Sequence, residues 1–394
     1  MIIPPEALRE DRSLAIHGGR EPRPLPYEDT GVETSAADAV AEVVRTGRTS
    51  VWRGGPRARE LEARFAALIG REGAFFHNSG SAALITGLHA LGADEGSTVA
   101  LACSGFVSAV NAVYHTHARP VFLPTDPITM VCERDPSSWV AEPIDICLVT
   151  QLLGNVVDID GIMAATRATW LLEDASQALM STLNGRYVGA RGHVSTFAAS
   201  SRKLMCTGQG GMNVYDDPEL GERMRRVGHH GKAATHFGEV PGFNFRGGEM
   251  EATLGLAALE RLAERAALRN RSAQAFKDVL ASAGIPFAVP PAHLDCTVTW
   301  FDTAVLLPDT WLGSRDWLVK VLLAEGVPGW TYPSLIEMPW VQPWMRSRGW
   351  WGEREDALLA RERALWGRMF VLGSQMSPED ARRCGEILAE LITR

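Results

Sequence analysis

Trp170 to Met212, WLLEDASQALMSTLNGRYVGARGHVSTFAASSRKLMCTGQGGM, is the stretch on which the reading of the whole chain turns. It opens on an apolar run, Leu171-Leu172, that ends in two acids, Glu173-Asp174, the pattern of a buried strand delivering a carboxylate to its C-terminal tip. Asn184-Gly185 and Gly189 to Gly192 mark turns, Val194 to Ala199 reads as a second strand, and Lys203 follows just before a glycine cluster. One hairpin-like excursion separates Asp174 from Lys203, enough to return the chain to the same sheet edge. A buried acid and a lysine so placed suit pyridoxal phosphate: the acid keeps a proton on the pyridine nitrogen, and the lysine forms a Schiff base and then moves protons. Taken singly, Asp174 could instead cap a helix from Ala175 to Met180, and Lys203 could be an ordinary solvated charge.

Outward from this stretch, Ala74 to His77, Thr98 to Ala102, Pro120 to Leu123, Asp145 to Thr150 and Thr169 to Glu173 read as short apolar strands. Helical patterns separate several of them: Glu60 to Ile69, an alanine- and leucine-rich stretch up to Leu91, and Asp158 to Ala165. Alternation of this kind predicts an α/β chain whose central sheet is mostly parallel and covered by helices, with its site beyond the carboxyl ends of the strands. At Asn78-Ser79-Gly80-Ser81 a strand turns into a helix through small residues. Unpaired N–H groups, the helix dipole and serine hydroxyls can form a phosphate cup there, although a plain helix cap would have the same sequence.

The chain has 394 residues, 46% of them apolar and 22% charged, which leaves room for two domains. The expected division is a proline-rich surface segment over 1–30, a large cofactor-binding domain over 31–255 and a smaller α+β domain over 256–394. A formal charge of −8 without a long Lys/Arg cluster argues against nucleic acid. The six cysteines, at 103, 132, 147, 206, 296 and 384, show no C-x-x-C spacing, so neither a disulfide framework nor a zinc site is expected. His229-His230 are adjacent, cannot share a helix face and offer no metal-ligand spacing. No run approaches the ~18 apolar residues of a membrane helix, and MIIPPEALREDRS has no leader-like core, so a cytoplasmic, non-membrane protein is expected.

Four separated pieces resemble, in order, the motifs of the DegT family of sugar aminotransferases, which are fold-type-I pyridoxal phosphate enzymes. They are Glu173-Asp174-Ala175-Ser176-Gln177-Ala178, Gly185 to Gly189, Thr196-Phe197 to Lys203, and Thr207-Gly208-Gln209-Gly210-Gly211-Met212. The resemblance implies that Lys203 carries the cofactor, Asp174 pairs with the pyridine nitrogen and Gln177 lies near the ring and its phenolic oxygen. Gly105-Phe106-Val107-Ser108 is similar to the motif whose aromatic residue stacks on the ring, which points to Phe106, and Gly80 and Ser81 match the family's phosphate-binding S-G-T. Gly242-Phe243-Asn244-Phe245-Arg246 is similar to a segment whose asparagine reaches the phosphate of a neighbouring subunit, which implies a homodimer with shared sites. Trp52, Arg53 and His230 fall in loops that border the substrate in the family. The chain departs from the pattern at Ala198, where the family has a phosphate-binding serine that Ser200 or Ser201 could replace, and at Gln209, where it has glutamate. Arg202 adds a cation directly before the lysine; on an extended chain it would point away from it.

The resulting expectation is an aminotransferase that uses pyridoxal 5'-phosphate, with the pyridoxamine form as intermediate, and moves an amino group from glutamate or glutamine to a nucleotide-linked keto sugar or a cyclic ketone. Trp52 to Gly55 leans toward the aminohydroxybenzoate synthase and scyllo-inosose aminotransferase branch, and a biosynthetic, secondary-metabolite role would follow. Another reaction on the same cofactor, or an inert cofactor-binding partner subunit, is also compatible with these residues. The tryptophans between Trp330 and Trp351 could form a substrate lid or an interface.

Overall fold

Five-residue apolar strands, each long enough to cross a small core, build the centre of the molecule. The computed structural model describes residues 2–26, 30–52, 54–232 and 237–393. Its main sheet joins β1 (Gly73–His77), β2 (Thr98–Ala102), β3 (Arg119–Leu123), β4 (Ile146–Thr150), β5 (Trp170–Asp174), β8 (Val194–Ala198) and β9 (Gly211–Tyr215) in the order β1-β9-β8-β5-β4-β2-β3. The pairs from β3 through β8 are parallel, and β9 alone runs antiparallel to its neighbours β8 and β1. Alternate residues face opposite cores. Val99, Leu101, Ile146, Leu148 and Leu172 join the helices Gly80–Ala90 and Val107–His115 on one face, while Ala100, Ala102, Cys147, Val149 and Leu171 enter a second cluster on the other. Both faces are therefore covered, as the continuous apolar runs predicted.

A small sheet links β6 (Thr182–Leu183) and β7 (Arg186–Tyr187) to β10 (Cys296–Thr297). Another, antiparallel throughout, orders β11 (Asp302–Leu306), β13 (Met369–Gly373) and β12 (Gly329–Trp330). Around the latter, Phe276, Leu280, Val305, Trp311, Leu322, Phe370 and Leu388 form a core of their own. Leu8 and Leu14, each 1% exposed, insert into that core, so the first residues are pinned by packing and do not merely run over a surface. Ala252, Leu256 and Leu262 share one cluster with Phe65 and Phe197, across the 255/256 division.

One local expectation changes. Residues 175–180 form turns and no helix, and the Ser176 N–H donates to Asp174 Oδ1 at 3.1 Å, so Asp174 shapes a turn where a helix cap was an alternative. From Glu249 the chain forms two helices in succession, Glu249–Glu260 and Leu262–Ser282, with a break at Arg261. Trp340, Trp344, Trp350 and Trp351 pack beside the helix Val107–His115 against the large-sheet core, where their area is buried away from the cavity described below. No helix among the described residues is long and apolar enough to cross a membrane.

Glu173, the neighbour of Asp174, points to the opposite face and is 1% exposed. Its carboxylate accepts from Gln151 Nε2 (3.0 Å) and from the N–H groups of Gly189 (2.9 Å), Arg191 (3.3 Å) and Gly192 (3.2 Å), tying the 189–192 turn to β5. Glu173→Ala is expected to cost about 2–4 kcal/mol in urea unfolding, because several buried donors lose one charged acceptor together. A loss below about 1 kcal/mol would show that the turn is held by other contacts.

Candidate active site

Beyond the C-terminal ends of β4, β5 and β8, marked by Thr150, Asp174 and Ala198, lies a cavity of about 360 Å³. The chain reaches it from three sides. Ser79, Gly80 and Ser81 come from the turn after β1, Ser200 to Lys203 from the loop after β8, and Phe301 and Tyr332 from the C-terminal part. Of the residues singled out in the sequence, Gly80, Ser81, Phe106, Asp174, Gln177, Ser200, Ser201 and Lys203 all line this one space.

At the helix Gly80–Ala90, Ser79 is the N-cap and its hydroxyl accepts from the Ala82 N–H at 3.1 Å. The helix has no carbonyl of its own to offer the amides of Gly80 and Ser81, which leaves these donors at the positive end of the dipole. Ser81 Oγ and Ser108 Oγ, 2.7 Å apart, add hydroxyls from a second helix. Gly80 must be small: a Cβ there would lie 2.8 Å from Ala198 Cβ. Alanine at 198 thus removes a hydroxyl and keeps this contact close, while Ser200 and Ser201 supply hydroxyls two and three residues further on.

Asp174 is 2% exposed, and burial raises its pKa; the Ser176 hydrogen bonds, and next the charge of Lys203, counter the rise. A buried carboxylate with so few donors holds its charge best against a further N–H. Burial also drives the Lys203 amine down to about 8, against the pull of Asp174 and Asp302 and with added repulsion from Arg269 and Arg202. Its Nζ stands 4.2 Å from the centroid of the Phe301 ring. Gln177 Oε1 accepts the Leu153 N–H at 2.7 Å, which leaves the amide NH2 as its group for a ligand oxygen. Phe106, half exposed in the cavity wall, offers an apolar face on which a flat ring can stack.

Lysine, buried acid, exposed ring and helix-end donors together match a flat, singly phosphorylated pyridine aldehyde. The residues therefore fit pyridoxal phosphate: Gly80, Ser81, Ser200 and Ser201 would hold its phosphate, Phe106 and Gln177 would flank the ring, and Asp174 and Lys203 would meet its two chemical ends.

Trp52, His230 and Asn244 are not part of this cavity. Trp52 stacks on His230 at 6.2 Å between centroids, and Arg246 Nη1 donates to Asn244 Oδ1 at 2.6 Å while its guanidinium carbon lies 5.4 Å from the Trp52 ring. They form a separate cluster at the surface. Arg53 lies outside the described residues. Glu249 orders the neighbouring loop, because its carboxylate accepts the N–H groups of Arg57 (3.0 Å) and Ala58 (2.9 Å) at the start of the helix Pro56–Ile69.

Sequence reasoning missed Asp302 and Tyr332. Asp302, on β11, is fully buried; its Oδ2 accepts from Tyr332 OH at 2.8 Å, and burial raises its pKa to about 6 even though Arg202 opposes the rise. One signal was available: an acid inside the apolar run Trp300 to Leu307. Because Asp302 favours the charged form of Lys203, Asp302→Asn should lower the pH midpoint of Lys203 acylation in the apoprotein from near 8, read by peptide mass spectrometry. An ammonium that loses a nearby negative charge gives up its proton more easily; an unchanged or higher midpoint would show that the two groups are not coupled.

Such a site defines a pyridoxal-phosphate-dependent aminotransferase, and comparison with known proteins supports the class. The sequence profile of the DegT/DnrJ/EryC1/StrS aminotransferase family matches residues 33–349, and this chain belongs to that family. It is 30% identical over 330 residues to the dTDP-4-dehydro-2,3,6-trideoxy-D-glucose 4-aminotransferase of Saccharopolyspora spinosa, covering 78% of this chain and 83% of that one. It is 30% identical over 273 residues to the GDP-perosamine synthase of Caulobacter vibrioides, covering 68% and 74%. The crystal structure of 3-amino-5-hydroxybenzoic acid synthase superposes with a TM-score of 0.82 at 22% identity over 94% of this chain and 98% of that one, which shows the shared fold.

Proposed function

We propose that this enzyme transfers an amino group from glutamate or glutamine to a keto sugar carried on a nucleotide, in a biosynthetic pathway. The observation that carries this reading is the enclosure of Lys203 and Asp174, with the phosphate cup at Gly80 and Ser81, in a single cavity of a family member. A relative named as a dTDP-sugar 4-aminotransferase and another named as a GDP-perosamine synthase support the acceptor class.

When bound, pyridoxal phosphate supplies an aldehyde and an electron-accepting ring through which nitrogen passes from donor to acceptor. Lys203, whose amine burial holds down at about 8, takes a proton from the donor carbon that loses nitrogen and delivers one to the acceptor carbon that gains it. Asp174 holds its charge at the far end of the site and keeps a proton on the group facing it. Phe301 lies against the amine, and Leu152 and Phe106 add apolar surface to the same cavity. Mixing the protein with glutamate or glutamine and a nucleotide-linked keto sugar should yield the amino sugar by mass spectrometry. Product only with a carbocyclic ketone would reassign the acceptor, and release of ammonia without amino product would overturn amino transfer.

The surface cluster of Trp52, His230 and Asn244 is read as serving the cavity of a second copy, making the active unit a homodimer. Exposed Trp52, Phe243 and Val240 beside it give an apolar surface for such a contact. Mixing Lys203→Ala and Asn244→Ala subunits should then restore about a quarter of the parental activity, because half the dimers are mixed and each of those holds one intact site of two. No recovery in confirmed mixed dimers would remove the shared site.

A further inference from the structure

Lys203 is preceded by a residue in the left-handed backbone region: Arg202 has φ +70°. A side chain with a Cβ enters that region rarely and stays there only when its surroundings hold it. Here each group of the residue is gripped from a different element. The Arg202 N–H donates to Thr30 O at 2.8 Å, and its carbonyl accepts from Arg269 Nη2 at 2.6 Å, on the helix Leu262–Ser282.

The side chain turns toward the C-terminal three-stranded sheet, contrary to the extended-chain expectation, because a left-handed residue breaks the alternation on which that expectation rests. Its guanidinium carbon lies 4.1 Å from the centroid of the Trp330 ring on β12. Nη2 donates to Gln375 Oε1 at 2.9 Å and stands 3.7 Å from Asp302 Oδ1 on β11. At Gly373, the last residue of β13, a Cβ would come within 2.6 Å of Arg202 Nη2, so the sheet leaves room for this guanidinium. A solvated arginine requires none of these features.

We propose that Arg202 is a positioning residue for Lys203: the C-terminal sheet holds its side chain and thereby fixes the left-handed turn that aims the lysine into the cavity. The inference rests on the reading of Lys203 as the cofactor-bearing lysine. It adds that the small sheet, through the residue next to the lysine in the cavity wall, sets the placement of that amine. Thr30 and Arg269 hold the peptide from behind, so loss of the side chain releases the turn without unfolding the strand before it. Charged groups facing Arg202 are Asp302 from the sheet, Lys203 from its own loop and Arg269 from the helix, and Gln375 adds a neutral acceptor.

Arg202→Ala and Gly373→Ala test this, since the second displaces the guanidinium and leaves residues 200–203 unaltered. Both variants should lower kcat by about 10- to 100-fold while KM for the amino donor stays within about threefold, because misplacement of the base weakens the proton-transfer step more than binding. Arg202→Lys, which keeps charge but loses the flat contact with Trp330, should fall between. With cofactor saturating, borohydride reduction and peptide mapping should show a smaller fraction of Lys203 labelled in both alanine variants than in the parent. A kcat within about twofold of the parent in both, or a loss matched by the unfolded fraction in circular dichroism, would overturn the positioning role. In the parent, a label on another peptide would instead overturn the reading of Lys203 itself.

Discussion

Lys203→Ala should abolish amino transfer, with kcat reduced by at least about 10³-fold, because the proposed function gives one amine two tasks, anchoring the cofactor and moving the protons. No other amine lines the cavity among the described residues, so no neighbour can take over either task. Borohydride reduction should then leave the protein without cofactor label, and the visible absorbance of the lysine-bound cofactor should vanish. Added methylamine should restore little of kcat, since a free amine lacks the orientation that the loop gives Lys203. The folded state should not suffer: burial holds the Lys203 amine down at about 8, below its ordinary value, so the folded protein binds fewer protons than the unfolded chain in the alkaline range. In the parent this means stability rises as pH climbs from about 8 toward the unfolded pKa, and it is below 8 that burying the ammonium costs most. The alanine variant should lose that dependence, and thermal unfolding across this window would reveal it. Residual turnover of a tenth or more would assign the chemistry to another group.

Asp174→Asn should lower kcat on the order of 10²–10³-fold while leaving the protein folded and able to take up cofactor. The amide keeps the size and the acceptor for the Ser176 N–H, so the turn survives. What it loses is a negative charge in a site from which water is excluded, where that charge stabilises a proton on the group opposite. Asp174 also favours the protonated form of Lys203 more strongly than Asp302 does, so the Lys203 midpoint should fall further in Asp174→Asn than in Asp302→Asn. Activity near that of the parent would mean that Asp174 is a turn-forming acid and no partner of the ring.

The two substitutions separate what a short motif can reveal from what needs the folded chain. Asp174 ends a run of apolar residues, and Lys203 follows the next such run, so hydrophobic patterning alone puts both beyond strand ends on a parallel sheet. Gly80 and Ser81 were legible for the same reason, since a strand, small residues and a helix in succession dictate exposed amides. Glu173 and Asp174 are adjacent acids, and strand alternation requires that one face the site and the other the opposite layer. The sequence reading assigned Asp174 to the site, and the donors of the 189–192 turn around Glu173 show what the other acid holds on the opposite layer.

Trp52, His230 and Asn244 show the limit from the other side. Their motifs are local and readable, yet they gather at the surface, away from the cavity of their own chain, because loop positions depend on what the loops pack against. Tyr332 and the inward turn of Arg202 lay beyond sequence reasoning for a related cause, and Asp302 left only the trace of an acid inside an apolar run.

By itself the sequence determined the layered α/β fold, the lysine and acid pair and the helix-end donors, because each follows from the periodicity and chemistry of residues close in the chain. Only the tertiary structure decided that β11 and the residues after β12 and β13 reach back to the loop before Lys203, bringing Asp302, Tyr332 and Gln375 around Arg202. Contacts between residues 30 to 173 positions apart leave no periodic trace in the sequence, and here packing in three dimensions is what brings these groups beside Lys203.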